Sequence, residues 1–281
     1  MPGILWIASY PKSGNTWMRI FLSNLILDAK EAISPDTASE FCTSEANKLW
    51  HLPFLTKDLK EGDAIPEEFT AQEIADVRGL AQKRAVELNK NLVLFKTHNY
   101  LGEHLGNPLC SMEYTSGAIY IVRDPRDVVV SAADHFGVSI DDTIELMADT
   151  KTVSKPEKGQ VYEVYNSWSN HVKSWTQVSN KRLIVLRYED MLADPHEVFT
   201  GLAKKLGITK DEERIKRAVE FSSFKQLQAL EAEVGFYEKS DKSQKFFRSG
   251  KSGGWKDVLT DKQCYRIEKD HRAQMKRFNY I

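Results

Sequence analysis

Four short apolar runs punctuate the chain: ILWIA at residues 4–8, LVLF at 92–95, AIYIV at 118–122 and LIVL at 183–186. They carry little polar alternation, which predicts strands buried on both faces of a parallel sheet. Between them apolar residues recur at helical spacing. Trp17, Ile20, Phe21 and Leu25 share one face of a helix predicted over 16–27. Val161, Val164, Tyr165, Trp168, Val172 and Trp175 form a second stripe, read as another helix. Asp194-Pro195 is an N-cap followed by a first-turn proline; it opens a helix to Leu206, with Gly207 as its stop. Strands alternating with helices predict an α/β fold with a central parallel sheet flanked by helices. Ligands of such sheets bind beyond the carboxyl ends of the strands.

Residues 30–90 break this rhythm. They are polar, with loops near Ser34-Pro35 and over 62–66, and a helix predicted over 72–88. Without a strand pattern, the stretch reads as a helical insertion in one domain spanning 1–281. Residues 151–159 and 238–254, rich in Lys, Ser and Gly, read as mobile loops. A chain of 281 residues, 41% hydrophobic, is long enough to bury a sizeable core. Its formal net charge of −1 supplies no global basic field, which argues against a nucleic-acid partner. No apolar run approaches the ~20 residues of a membrane span. Met1-Pro2-Gly3 leads directly into the first strand, leaving no room for a signal peptide. Cys42, Cys110 and Cys264 are odd in number and far apart, as in a reducing compartment, and suit neither a disulfide framework nor a zinc site. A cytoplasmic location is the expectation.

Four clusters carry candidate chemistry. The first is YPKSGNTW at 10–17, a strand-to-helix loop. Backbone N–H groups at a helix start, helped by the helix dipole, cradle a phosphate. Lys12 adds a charge, and Ser13 and Thr16 add hydroxyl donors. The Lys precedes the Gly and GxxxxGK[ST] is absent, so the loop is not a Walker A. The second is RDPRDVVVS at 123–131. Arg123 at a strand end and Ser131 about two turns into the next helix suit a second phosphate. Arg126 and Asp127 are read as surface ion pairing. The third is Lys96-Thr97-His98 after the second strand run, pairing a lysine with a histidine able to act as a general base. The fourth is FRSGKSGGWK at 247–256, whose glycines permit close backbone approach to an anion while Arg248 and Lys251 supply charge. No DxD metal pair, Walker B or kinase catalytic loop is evident, which counts against a small-molecule kinase. Two anion sites without an obvious metal suggest a nucleotide with phosphates at two positions.

With these motifs in order, the chain resembles the cytosolic-type sulfotransferases that use 3′-phosphoadenosine 5′-phosphosulfate (PAPS). The matching stretches are YPKSGNTW, FKTH, IVRDPRDVVVS, LRYEDM, FSSF and FRSGKSGGWK, spread from Tyr10 to Lys256. The resemblance implies the P-loop-like sulfotransferase fold and transfer of a sulfuryl group from PAPS to a hydroxyl or amine of a small molecule. Adenosine 3′,5′-bisphosphate (PAP) would be the product, with no metal required. It implies that Lys12, Ser13, Gly14, Asn15 and Thr16 form the 5′-phosphosulfate loop and that Trp17 stacks on adenine. Arg123 and Ser131 match the 3′-phosphate contacts, and Tyr188 a tyrosine near the nucleotide. Ser222 and Phe224 match adenine-side contacts, with Ser222 where Thr is more frequent. Arg248, Ser249 and Gly250 match the C-terminal clamp, with Ser249 where Lys is frequent. His98 matches the catalytic base, with Lys96 and Lys12 as its catalytic lysines.

There are departures. Asn99-Tyr100 stands where Leu-Pro is frequent. The family's dimer motif is partial: Lys256 and Thr260 match, while Asp261 and Tyr265 replace Val and Glu, leaving a homodimer open. Residues 30–90 are expected to shape the acceptor site and 238–254 to cover the nucleotide. Phe54, Tyr100, Phe136, Phe236 and Tyr237 are candidates for an apolar acceptor pocket. The basic C-terminal helix reads as a solvated face.

Overall fold

The computed structural model describes residues 3–60, 63–89, 92–156 and 159–281. Its strands are β1 (Ile4–Ser9), β2 (Val93–Thr97), β3 (Glu103–His104), β4 (Asn107–Pro108), β5 (Thr115–Val122) and β6 (Leu183–Arg187). The helices of the first half are α1 (Asn15–Ile26), α2 (Pro35–Phe41), α3 (Lys48–Leu55), α4 (Ala71–Leu88), α5 (Pro125–Phe136) and α6 (Ile140–Ala148). Those of the second are α7 (Trp168–Thr176), α8 (Tyr188–Ala193), α9 (Pro195–Leu206), α10 (Glu212–Phe221), α11 (Phe224–Val234) and α12 (Asp261–Arg277). Parts of the loops predicted over 62–66 and 151–159 lie outside the described residues.

The main sheet has the order β2-β1-β5-β6, every pair parallel. All six residues of β1 are buried, as its unbroken apolar run requires. Alternate residues serve opposite faces. Ile4, Trp6 and Ala8 join one core with Val128, Trp168, Val172, Trp175, Ile267 and Met275. Leu5 and Ile7 join the other with Met18, Phe21, Leu25, Phe199 and Leu202. Helices therefore cover both faces, and each fully buried large side chain contributes about 1.5–3 kcal/mol.

The second predicted helix is shorter than its stripe. Only Trp168–Thr176 is helical, while Val161, Val164 and Tyr165 lie in extended chain. Their N–H groups donate outside any helix: Val161 to the Ala46 carbonyl at 2.7 Å, Val164 to Asn99 Oδ1 at 2.7 Å and Tyr165 to the Thr152 carbonyl at 2.9 Å. Asn166 at φ +59° turns the chain, and Ser167 caps α7 by accepting from the Asn170 N–H. The apolar spacing suits a helix, but tertiary partners claim the backbone first. β2 also runs two residues past its apolar run, so Lys96 and Thr97 are strand residues and His98 follows the strand end.

The described part of residues 30–90 carries α2, α3 and α4, joined by loops. A buried polar knot fastens this stretch. Arg78 on α4 donates to both oxygens of Glu45 at 2.8 and 2.6 Å and to the Tyr162 carbonyl at 2.8 Å. Asn99, beside the end of β2, donates to Glu45 at 3.2 Å. Burial alone would raise the Glu45 carboxyl; the Arg78 charge outweighs it and holds it at about 2.

Glu45→Ala strands a buried guanidinium and is expected to cost about 3–5 kcal/mol in urea denaturation. Because the folded Glu45 value lies below the ordinary 4.5, its stabilisation is present above pH 4.5 and is lost as pH falls toward 2. Wild-type stability should therefore fall more steeply over that window than Glu45→Ala stability.

Candidate functional site

The chain leaves β1 at Tyr10, β2 at His98 and β5 at Arg123, all on the carboxyl edge of the sheet. Together with residues 246–251 they border a cavity of about 940 Å³.

The loop after β1 adopts unusual backbone. Lys12 has φ +64° and Gly14 φ +104°, both in the left-handed region. A Cβ on Gly14 would lie 2.7 Å from Tyr188 Cδ2, so this position needs glycine for both conformation and space. Gly14 precedes α1 without any side-chain cap, and the first turn carries no acid. The opening N–H groups of α1 are thus left for an external acceptor. Ser13 is fully buried, and its hydroxyl has no partner among the described residues. Asn15 donates to the Ile7 carbonyl at 2.8 Å, which ties the loop back to β1. The Lys12 ammonium sits 4.3 Å from the centre of the Phe246 ring. Burial lowers its pKa to about 8, against the opposing pull of Glu238. An orphaned hydroxyl, an uncapped helix start and a cation on one loop can together hold an anion.

Arg123 staples two segments. It donates to the Lys12 carbonyl at 2.8 Å and to the Lys251 carbonyl at 3.3 Å, and its guanidinium stacks 4.4 Å from the Tyr188 ring centre. Its Nε is buried without a partner among the described residues. Ser131, Trp17, Thr16, Tyr188, Phe224, Arg248, Ser249 and Gly250 all border the same cavity. Gly250, at φ +55°, lies against the Phe224 ring, where a Cβ would collide.

His98 borders the cavity too. Its Nδ1 lies 2.8 Å from the Ser9 carbonyl, so Nδ1 carries the proton and Nε2 keeps its lone pair. Burial, then the Lys96 charge, pushes its pKa well below 6.5, so the ring is neutral near pH 7. Behind it, His171 Nε2–H donates to the His98 carbonyl at 3.1 Å, and Tyr120 O–H donates to His171 Nδ1 at 2.8 Å. The Lys96 ammonium is paired with Glu163 at 2.9 Å.

Two sequence-predicted contacts stand apart from the cavity wall. Ser13 is buried within its loop and does not border the cavity, and Ser222 is buried at the end of α10, its hydroxyl donating to the Ala218 carbonyl at 2.8 Å. Of the aromatics proposed for an acceptor pocket, Phe136 and Tyr237 border the cavity; Phe54, Tyr100 and Phe236 do not. From residues 30–90 only Ser44 does, among the described residues. Arg126 and Asp127 require correction, because both are buried, not surface pairs. Arg126 joins Asp124 at 2.7 Å, Glu268 at 2.7 Å and the Tyr280 carbonyl at 2.8 Å, while Asp127 accepts the N–H groups of Gly253 at 2.6 Å and Trp255 at 3.1 Å. They fasten the C-terminal segment to α5.

Sequence reasoning missed Ser9, Arg19, Glu163 and Glu238. Buried Arg19 donates to both oxygens of Glu238 at 2.9 and 2.6 Å, across the expected covering segment. These partners are far apart in sequence, so no local motif marks them. No helix among the described residues is long and apolar enough to cross a membrane, and none of their His, Cys, Asp and Glu side chains form a group of three suited to a metal ion.

Residues 2–279 match the family model for the sulfotransferase domain. Sulfotransferase 1E1 of Mus musculus is 27% identical over 286 residues, covering 98% of this chain and 84% of the relative. Cytosolic sulfotransferase 16 of Arabidopsis thaliana is 27% identical, covering 93% and 73%. In structure, the chain is similar to mouse sulfotransferase SULT7A1 complexed with PAP (TM-score 0.61, 20% identity, 98% of this chain, 84% of that one). It is also similar to retinol dehydratase in a complex with retinol and PAP (TM-score 0.65, 22% identity, 98% and 82%). These likenesses show the fold.

Gly14→Ala is expected to destabilise the chain by about 1–3 kcal/mol in urea denaturation, from left-handed backbone strain and collision with Tyr188. Gly79→Ala, at a half-buried position of α4 where a Cβ meets nothing within 4 Å, should instead be neutral or stabilising.

Proposed function

The chain belongs to the sulfotransferase domain family, and on that footing we propose that it transfers a sulfuryl group from PAPS to a hydroxyl or amine of a small-molecule acceptor, releasing PAP. One observation carries this reading: an anion cradle and a neutral histidine with a free Nε2 border the same cavity. The residues fit the nucleotide. The orphaned Ser13 hydroxyl and uncapped α1 N-terminus suit its phosphosulfate end. Arg123, Ser131, Arg248, Ser249 and Gly250 suit its 3′-phosphate, and Trp17, Tyr188 and Phe224 offer aromatic surface for adenine. Ser222 takes an indirect part in this reading, holding the turn that precedes Phe224.

When bound, PAPS supplies the sulfuryl group. His98 Nε2 takes the proton of the acceptor hydroxyl or amine as that atom attacks sulfur in line. The Ser9 carbonyl holds the His98 ring in the tautomer this requires. Lys12 stabilises the negative charge that develops on the bridging oxygen, with Lys96 and the α1 N–H groups assisting. Phe136, Val138, Leu146, Met147, Val153 and Tyr165 border the cavity and suit an acceptor with an apolar body. The cytosolic designation of the Arabidopsis relative supports a cytoplasmic setting.

Incubation with sulfur-labelled PAPS and a panel of phenols, aliphatic alcohols and amines, in the presence of a chelator, tests the reading. Label should pass to at least one acceptor class, and no transfer to any would sink it. His98→Ala should lower kcat about 10²–10⁴-fold while leaving PAP affinity in calorimetry intact. Near-wild-type turnover in that variant excludes the proposed base.

The pH profile of kcat/KM for PAPS provides a second test. His98 gains a proton only well below pH 6.5, so the acid limb should fall below that value. Lys12 loses its charge as pH rises through about 8, so nucleotide capture should decline there. Lys12→Arg should move the alkaline limb upward.

A further inference from the structure

The mechanism above gives Glu163 no task, yet its carboxylate touches both ends of Lys96-Thr97-His98. One oxygen accepts from the Lys96 ammonium at 2.9 Å, and the other accepts the His98 backbone N–H at 2.6 Å. The side chain is 4% exposed, so both bonds form away from water. The peptide carrying His98 is gripped on one side by this carboxylate, while the imidazole is gripped on the other by the Ser9 carbonyl.

Glu163 is itself held in register. Its N–H donates to Ser154 Oγ at 2.8 Å, and its carbonyl accepts the Ser154 N–H at 2.8 Å. The next residue, Val164, donates to Asn99 Oδ1 at 2.7 Å. Glu163 therefore sits on a strip of extended chain laced to the residue after His98. With both oxygens engaged, it is poorly placed to take a proton from an acceptor.

We propose that Glu163 is a positioning residue, whose carboxylate fixes where the Lys96 ammonium and the His98 imidazole stand relative to one another. It acts through those two groups and touches no substrate. The kinetic part of this proposal rests on the sulfuryl-transfer reading; the contact itself does not.

The test uses Glu163→Gln, Glu163→Asp, Lys96→Met and the Glu163→Gln/Lys96→Met double variant. In the ligand-free protein, the amide proton of His98 should resonate downfield in NMR, as a short bond to a charged acceptor requires. It should move upfield in Glu163→Gln. With labelled PAPS and 2-naphthol as the probe acceptor, Glu163→Gln should lower kcat by roughly 10-fold or more, the scale of a misplaced catalytic group. PAP affinity should stay near wild type even though Tm falls with the lost counter-charge of the Lys96 ammonium, and Glu163→Asp should recover part of the rate. The double variant should be no slower than the slower single variant, because both changes break one unit.

An unmoved His98 amide signal in Glu163→Gln overturns the proposal, and so do unchanged kcat, losses that multiply in the double variant, or PAP affinity falling in step with kcat. Should Glu163→Gln fail to fold, Glu163→Asp carries the same comparisons. Wild-type protein that transfers label to no acceptor defeats the sulfuryl-transfer reading, and the amide shift still decides whether Glu163 holds His98.

Discussion

Parallel pairing of β1 on both of its edges is the constraint on which the rest depends. β1 lies between β2 and β5, and the three strands run the same way. Their carboxyl ends consequently emerge side by side, delivering the loop at Lys12, His98 and Arg123 to one cavity although 111 residues separate Lys12 from Arg123. The pairing demands that β1 be apolar on both faces, and its sequence complies with six buried residues in a row. A one-residue slip against β2 would turn the Lys96 side chain to the opposite face of the sheet.

The cavity gathers cations more than it gathers free anions. Lys12, Lys96, Arg123 and Arg248 border it. Three of the carboxylates that border it are already engaged: Glu163 by Lys96, Glu238 by Arg19, Asp127 by the Gly253 and Trp255 N–H groups, while Asp257 lies exposed at its edge. Burial penalises the Glu238 carboxylate, but Arg19 outweighs this and holds it at about 2. Burial depresses the Lys12 ammonium against the opposing pull of Glu238, so its charge is poorly compensated inside the protein. A polyanion beside Lys12 would compensate that buried charge, which favours the proposed nucleotide over a neutral ligand.

Much of this was legible in the sequence because it is local. Strand runs, the Asp194-Pro195 helix start and the loop at 10–17 each announce themselves within a dozen residues, and the structure reproduces them, except that β6, at the sheet edge, is not buried on both faces and leaves Val185 exposed. Errors arose where long-range bonds compete with local pattern. Val161 and Val164 satisfy helical spacing, but Ala46 and Asn99 take their N–H groups. Arg126 and Asp127 look like surface charges in a turn, and only the folded chain brings Glu268, Gly253 and Trp255 against them. Glu163 lies 67 residues from Lys96, so nothing in its own neighbourhood advertises the contact.

The Arg123 staple has a bearing on biosynthesis. Its guanidinium joins the carbonyls of Lys12 and Lys251, near opposite ends of the polypeptide. A ribosome releases the first of these partners early and the second only when most of the protein has been made. The sheet order places β1, β2 and β5 ahead of residues 238–254 in the chain, so these strands are made before the segment expected to cover the loop at 10–17. On the proposed reading, nucleotide capture would be a late event of synthesis, following the docking of residues 251–255 on α5, and a chain stalled short of them would carry a cradle with one wall missing.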